Sequence, residues 1–142
     1  MKRTTTLLAI LSAAAFLAAC APSLLCAADA PADRAVVMYF HRTQRCPTCQ
    51  KMGGYTDEAV KSAFAAELAA GTVELHSIDF QDAKNAKFVQ AYGITGPTLI
   101  VAKVVGGKVA ETHNLKDIWT KVRDKDAFFA YVQDNVKACL PK

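Results

Sequence analysis

The chain has 142 residues, which is enough for one compact domain and too few for two ordinary ones. Hydrophobic residues make up 52% and charged residues 21%, so the composition supports a packed core and excludes a disordered chain. The net charge is +4, and removal of Lys2 and Arg3 with the segment described next would leave 15 basic against 13 acidic residues, or +2. So small a charge excludes a nucleic-acid-binding surface, and we expect no nucleic-acid partner.

Residues 1–19 have the features of an export signal. A basic pair opens the segment, and the apolar run over residues 7–19 is shorter than the roughly 20 residues of a membrane-spanning helix. The run ends in Leu17-Ala18-Ala19-Cys20, which resembles the bacterial lipobox. That resemblance implies that Cys20 is lipidated and becomes the first residue of the exported chain.

Ordinary secretory cleavage after Ala28 is the alternative to lipidation. Both routes place the domain outside the cytoplasm, where disulfides persist. We expect a protein of the bacterial periplasm or cell envelope that is held at the membrane by a lipid anchor on Cys20. The predicted organisation is a signal peptide over residues 1–19, a tether over residues 20–34 and one domain over residues 35–142.

The first predicted element of the domain is a buried strand. Residues 36–40 form a continuous apolar run that is typical of a central strand covered on both faces. A polar loop then leads to a Cys-x-x-Cys motif, in which Pro47 suits the first turn of a helix because its missing N–H is tolerated there. The apolar spacing extends this helix to about residue 70. A kink or break is expected at Gly53-Gly54, since each glycine costs about 1 kcal/mol in a helix.

The rest of the chain predicts alternating strands and helices. Residues 73–80 form a second strand, and residues 82–92 form a second helix with Phe88, Val89 and Tyr92 turned inward. The later elements are a strand over 98–105, a hairpin turn at Gly106-Gly107, a returning strand over 108–113, a short helix over 115–122 and a final helix over 126–138. The expected core includes Trp119 and one face of the last helix, formed by Phe128, Phe129, Val132 and Val136.

The motif Cys46-Pro47-Thr48-Cys49 predicts a redox-active dithiol at the start of a helix. There the first cysteine lies among unpaired N–H groups at the positive end of the helix dipole, which favours the thiolate. Arg45 and His41 precede it in the loop and are candidate thiolate-stabilising residues. Cys49 is expected to be less exposed and to act as the resolving thiol. Cys46 and Cys49 are thus the candidate catalytic pair, and their reversible disulfide is the only redox group that we expect.

With this dithiol in place, the chain resembles the thioredoxin superfamily over residues 36–140. The segment Tyr92-Gly93-Ile94-Thr95-Gly96-Pro97-Thr98-Leu99 is similar to the segment around the cis-proline of that family. The resemblance implies a thioredoxin-like α/β fold, with a mixed sheet flanked by helices on both faces. It also implies a cis bond before Pro97, a substrate-positioning role for Gly96 and Pro97, and disulfides or dithiols of proteins or small molecules as partners. We expect the chain to be a monomer.

Within the superfamily, the chain looks most like the small bacterial ArsF-type group. The resemblance lies in Phe40-His41, in Arg45-Cys46-Pro47-Thr48-Cys49 and in the closing Tyr131-Val132-Gln133-Asp134. That group is named as a subunit of a nitrophenyl-compound nitroreductase. Because the sequence contains no flavin or nicotinamide motif, a chain of this kind would be a non-catalytic subunit of such a system.

Two other uses of the dithiol stay open at this point. One is an inert structural disulfide, and the other is a carrier of copper(I) or a similar soft metal, which two thiolates can bind. A zinc site is not predicted, because tetrahedral zinc needs four ligands and only His41 lies near the motif in the sequence. Cys139 either pairs with Cys26 or remains a buried free thiol.

Overall fold

The structure is a computed structural model that describes residues 30–142. The predicted export signal, the lipidation of Cys20, the cleavage after Ala28 and the pairing of Cys26 lie outside the described residues. The elements in chain order are β1 (Arg34–His41), α1 (Pro47–Ala63), α2 (Ala65–Ala70), β2 (Val73–Asp79), a 3-10 turn (Ala83–Asn85), α3 (Ala86–Ala91), β3 (Thr98–Val105), β4 (Lys108–Asn114), α4 (Ile118–Lys121) and α5 (Lys125–Cys139). Among residues 30–142, no helix has the length and apolar character needed to cross a membrane.

The four strands form one mixed sheet in the order β2-β1-β3-β4. β1 pairs parallel with β2, from Ala35 opposite Val73 to His41 opposite Asp79. It pairs antiparallel with β3, which is joined to β4 by a hairpin whose glycines, Gly106 and Gly107, have positive φ angles as predicted. The carboxyl end of β1 therefore lies beside the carboxyl end of β2 and the amino end of β3.

Helices cover both faces of the sheet, which confirms the expected α/β, thioredoxin-like fold class. On one face, α1, α4 and α5 pack against alternate residues of β1 and β3 in a core that includes Val37, Leu99 and Phe128. On the other face, a smaller core around Phe40 and Ile100 is covered by the segment containing α3. Because β1 lies between the two cores, its interior from Ala35 to Phe40 is apolar, which agrees with the apolar run predicted over residues 36–40.

The chain enters the sheet at the end opposite to the Cys-x-x-Cys motif. The carbonyl of Ala32 accepts a hydrogen bond from the N–H of Gly107 at 2.7 Å, and the carboxylate of Asp33 accepts one from the N–H of Gly106 at 2.7 Å. These two bonds attach the chain ahead of β1 to the β3–β4 turn. Ala32 and Asp33 are therefore hydrogen-bonded to the domain ahead of β1.

The break predicted at Gly53-Gly54 is wrong. α1 runs without interruption through both glycines and ends instead at Ala63, because the following Phe64 leaves the helical conformation at φ −129° and is 3% exposed. A Cβ atom on Gly53 would lie 2.9 Å from Cε1 of Tyr39, whereas one on Gly54 would meet nothing within 4 Å. Gly53 thus allows β1 and α1 to approach each other closely, and this packing offsets the low helix propensity of glycine.

Two aromatic residues predicted to be in the core lie at the surface. Phe88 is 49% exposed and Trp119 is 45% exposed. α3 and α4 are only 6 and 4 residues long, so each buries a narrow stripe of side chains. Val89 on α3 and Tyr92, the residue that follows α3, pack against the smaller core as predicted. Phe88 is turned away from that core.

The expected cis bond before Pro97 is also wrong. No peptide bond among residues 30–142 is cis, so the Gly96–Pro97 bond is trans. For a bond before proline, trans is favoured by about 0.5–1 kcal/mol unless packing selects the other isomer. Here the hydroxyl of Thr98 donates to the carbonyl of Gly96 at 2.8 Å and closes a local turn that accommodates the trans bond.

Candidate functional site

The dithiol lies where the loop after β1 enters α1. Cys46 is the N-cap of the helix, with extended backbone at φ −69° and ψ 159°, and Pro47 follows in the first turn as predicted. The N–H of Cys49 donates to Cys46 Sγ at 3.2 Å, so the sulfur takes the place of a capping oxygen. Cys46 is exposed and Cys49 is 6% exposed.

The two thiols have pKa values displaced in opposite directions. Hydrogen bonds from the thiol of Cys49, and then from its backbone N–H, lower the pKa of Cys46. Burial raises the pKa of Cys49, and the same hydrogen bond to Cys46 adds to that effect. At neutral pH, the exposed sulfur therefore has more thiolate character than the buried one. This is the state in which a dithiol reacts at one sulfur only.

The side chain of Tyr39 contacts the backbone of the resolving cysteine, Cys49. Its hydroxyl donates to the carbonyl of Cys49 at 2.8 Å, and its ring is 2% exposed beneath Gly53. Burial, with the charge of Cys49 as the next cause, raises the pKa of Tyr39 far above its usual range. Tyr39 was predicted only as part of an apolar strand. The alternation of β1 could have assigned it to the same face as the helix that carries the dithiol, but not to a contact with Cys49.

Arg45 and His41 contact each other. The guanidinium of Arg45 donates to Nε2 of His41, and Nδ1 of His41 donates to the carbonyl of Arg42 at 2.9 Å. Arg45 Nη2 also reaches Oγ of Ser77 on β2 at 3.3 Å. These bonds fix the loop between β1 and α1. The largest causes of the lowered pKa of Cys46 are the hydrogen bonds from Cys49, so thiolate stabilisation by Arg45 and His41 stays a prediction.

Asp79, at the end of β2, is a further member of the site that the sequence did not indicate. A hydrogen bond from the side chain of Thr43 is the largest cause that lowers the pKa of Asp79, followed by the bond from the N–H of Gln81, which donates to its carboxylate at 2.9 Å. Gln81 in turn accepts a bond from the N–H of Thr43 at 3.1 Å. The loop before the dithiol is thus held against the end of β2.

Gly96 and Pro97 lie at the same end of the sheet as the dithiol. The pairing of Phe40 with Thr98 sets this position, because Phe40 is the second-last residue of β1 before the dithiol loop and Thr98 immediately follows Pro97. No hydrogen bond among residues 30–142 joins Gly96 or Pro97 to either cysteine. Pro97 lines a cavity of about 200 Å³ together with the exposed Trp119. Their role in positioning a substrate stays a prediction.

The other potential metal ligands are dispersed over the domain. His76 bonds to Glu74 at 2.9 Å, and His113 bonds to Glu111 at 2.8 Å and Asn135 at 3.0 Å. Within the part of the chain that the structure describes, no three His, Cys, Asp or Glu side chains come together in one place. Of the three cysteines in residues 30–142, Cys46 and Cys49 lie together at the start of α1, and Cys139 is a separate buried thiol.

The described domain is similar in structure to several solved proteins. A mutant thioredoxin from Halobacterium salinarum has 20% sequence identity and a TM-score of 0.43, and the alignment covers 78% of each chain. Thioredoxin from Fasciola hepatica has 22% identity and a TM-score of 0.40, with 64% of this chain and 76% of that chain covered. A malarial protein has 14% identity and a TM-score of 0.45, with 72% and 98% covered. No protein-family model and no curated protein sequence matches the chain.

The fold itself is defined by the sheet order and the two helical layers. In this thioredoxin-like fold, the Cys-x-x-Cys pair lies at the amino end of the first helix after a buried central strand. Such a pair can exchange two electrons by opening and closing a disulfide, which is chemistry of the redox type.

Proposed function

We propose that the domain is a thiol–disulfide oxidoreductase in which Cys46 is the nucleophile and Cys49 is the resolving thiol. The observation that carries the proposal is the asymmetry of the pair. Cys46 is exposed and has a lowered pKa, whereas Cys49 is 6% exposed and has a raised pKa. A nucleophile must be accessible and deprotonated, while a resolving thiol acts only after the first sulfur has been captured.

The proposed reaction has two exchange steps. The Cys46 thiolate attacks one sulfur of a substrate disulfide, forms a mixed disulfide and releases the other substrate sulfur as a thiolate. Cys49 then loses its proton and attacks Cys46 Sγ, which closes the Cys46–Cys49 disulfide and releases the second substrate thiolate. The substrate gains two electrons and the domain loses two. The reverse sequence oxidises a substrate dithiol.

The first prediction tests this assignment of roles. The Cys49→Ser chain should accumulate a mixed disulfide with a protein disulfide such as insulin, because the second step is lost. The matched Cys46→Ser chain should not form one through the motif, because the remaining thiol of the motif, Cys49, is buried. Mass spectrometry of the trapped species, and of cysteines alkylated at pH 6, identifies the reacting sulfur. Preferential alkylation of Cys49, or trapping by the Cys46→Ser chain, would reverse the assignment.

A copper(I) carrier is the competing function for the same two sulfurs. Metal binding requires both thiolates to be presented together, so burial and the raised pKa of Cys49 disfavour it relative to exchange. Insulin reduction by the purified chain, measured with and without one equivalent of copper(I), separates the two functions. Tight metal binding without exchange activity would replace the oxidoreductase with the carrier.

On the sequence pattern of residues 1–20, we also propose that the protein is exported and anchored through a lipid on Cys20 in the bacterial envelope. The resemblance to the ArsF-type group supports a finer proposal. In that setting, the chain would be a non-catalytic subunit of a nitroreductase system. We propose a monomeric chain whose partners are disulfides and dithiols.

A further inference from the structure

The outer edge of β2 offers unpaired backbone groups. Within residues 30–142, β2 pairs only with β1. The carbonyl of Thr72 accepts from Ala35 and the N–H of Phe80 donates to His41, both at 2.9 Å, so the even-numbered residues of this stretch turn their backbone groups toward β1. In a parallel ladder the residues between them face the other way. Leu75 and Ser77 therefore present N–H and C=O groups at the open edge.

Cavities border this strand on both faces of the sheet. A cavity of about 650 Å³ on the side of α1 and α2 is lined by Leu68 and Leu75 and extends to Tyr39 and Arg45 at the dithiol loop. A second cavity, of about 470 Å³, lies on the side of α3 and reaches β2 at Ile78. Side chains of an extended segment alternate between the two faces of a sheet. A segment paired with β2 would therefore place successive side chains in the two cavities.

The charges in the first cavity indicate which side chains a bound segment would have. Lys61 and Asp57 form an ion pair at 2.8 Å and neutralise each other. Arg45 contacts His41 and Ser77 and forms no ion pair with a carboxylate among residues 30–142. An acidic side chain in this position would complement the guanidinium, while apolar side chains would cover Leu68 and Leu75.

We propose that the open edge of β2 binds an extended segment of a protein substrate. In this segment, apolar and acidic side chains lie next to the substrate cysteine that reacts. The inference rests on the proposed function, and it names protein disulfides rather than small ones as the substrates. β2 ends at Asp79, opposite His41, from which the loop leads to Cys46. A segment that follows the edge is thus directed toward the nucleophile. Backbone pairing would give affinity, and the two cavities would give selectivity.

The second prediction tests binding without chemistry. The probe is a short labelled peptide in which valine and glutamate alternate around one serine that replaces the cysteine. Ser77→Pro removes one outward N–H and leaves the bonds to β1, and the matched Ser77→Ala chain removes only the hydroxyl. Ser77→Pro should weaken binding by about tenfold, measured by fluorescence anisotropy, and Ser77→Ala by less than about twofold. A probe that has lysine in place of glutamate should bind more weakly to every chain.

Leu75→Gln is the second variant, with Leu75→Met as its control, in case Ser77→Pro does not fold. Equal binding of the peptide to wild type, Ser77→Pro and Leu75→Gln would overturn the inference. So would a dimeric mass in sedimentation that Ser77→Pro reduces to a monomer, because a second copy would then occupy the edge. Failure of the wild-type chain to bind the peptide would also overturn it.

A kinetic comparison keeps this inference separate from the proposed function. With a disulfide-linked version of the peptide, Ser77→Pro should have a kcat/KM about tenfold below that of Ser77→Ala, which also lacks the hydroxyl, while the two variants should reduce hydroxyethyl disulfide at rates within about twofold of each other. An equal loss with both substrates would contradict docking at β2. A wild-type chain that binds the peptide but reduces neither substrate would overturn the oxidoreductase and leave the binding surface supported.

Discussion

The contact between Tyr39 and Gly53 determines how closely the strand before the dithiol approaches the helix that carries it. The ring of Tyr39 lies against the backbone of Gly53, and its hydroxyl holds the carbonyl of Cys49. A buried hydroxyl with a good partner contributes about 1 kcal/mol to stability. The same residue thus packs the core and fixes the backbone of the resolving cysteine.

The third prediction compares two adjacent glycines. Gly53→Ala should destabilise the domain by about 1–3 kcal/mol, because its Cβ would lie 2.9 Å from a ring that is 2% exposed. Gly54→Ala should stabilise it by up to about 1 kcal/mol through helix propensity, because nothing lies within 4 Å of its Cβ. Denaturant unfolding gives both free energies. Equal effects of the two substitutions would show that the close approach of Tyr39 to Gly53 does not affect the unfolding free energy.

The strands and helices show which parts of the fold follow from local pattern. β3 and the start of α1 match their predicted bounds, because a continuous apolar run and a proline in a first helical turn are signals within one segment. The continuity of α1 through Gly53 and the exposure of Phe88 depend on what the rest of the chain places nearby. In the site, the cysteines were evident from their spacing. Tyr39 and Asp79 were not evident. Tyr39 belongs to an apolar strand, whose pattern indicates only burial, and the pattern of β2 does not indicate that Asp79 contacts the dithiol loop.

β4 and α5 are joined by a histidine between two acceptors. His113 on β4 donates to Glu111 of its own strand and to Asn135 of α5. The bond with Asn135, and then the bond with Glu111, raise the pKa of His113. Both bonds can be donated at once only by the protonated ring. The imidazolium therefore contributes to the packing of the edge strand on the last helix.

The fourth prediction follows from the sign of that shift. Since the pKa is higher in the folded state, the stabilisation is complete below the unfolded value of 6.5 and is lost as pH rises through the folded value. The difference in unfolding free energy between wild type and His113→Gln should shrink as the pH is raised from about 5 to about 8. Urea titrations at several pH values measure it. A difference that grows with pH would mean that the neutral ring is the stabilising form.

At the scale of the whole molecule, the fifth prediction concerns attachment to a membrane. The Cys20→Ser chain should lose metabolic labelling by a fatty acid and move from the membrane fraction to the soluble envelope fraction. The lipobox-like Leu17-Ala18-Ala19-Cys20 is the reason for this expectation. Ala28→Asp serves as the control, because it disrupts only the alternative cleavage site. If Cys20→Ser leaves labelling and fractionation unchanged, the anchor is not at Cys20.

The way the chain enters the sheet determines which way the dithiol faces. Ala32 and Asp33 are bonded to the β3–β4 turn at one end of β1, and the loop that carries Cys46 leaves the other end. The eight residues of β1 separate the two ends by about 26 Å, at about 3.3 Å per residue. The body of the domain therefore stands between its point of entry and its reactive sulfur. If the chain is anchored through Cys20, as we propose, the anchor joins the domain at the end opposite to Cys46.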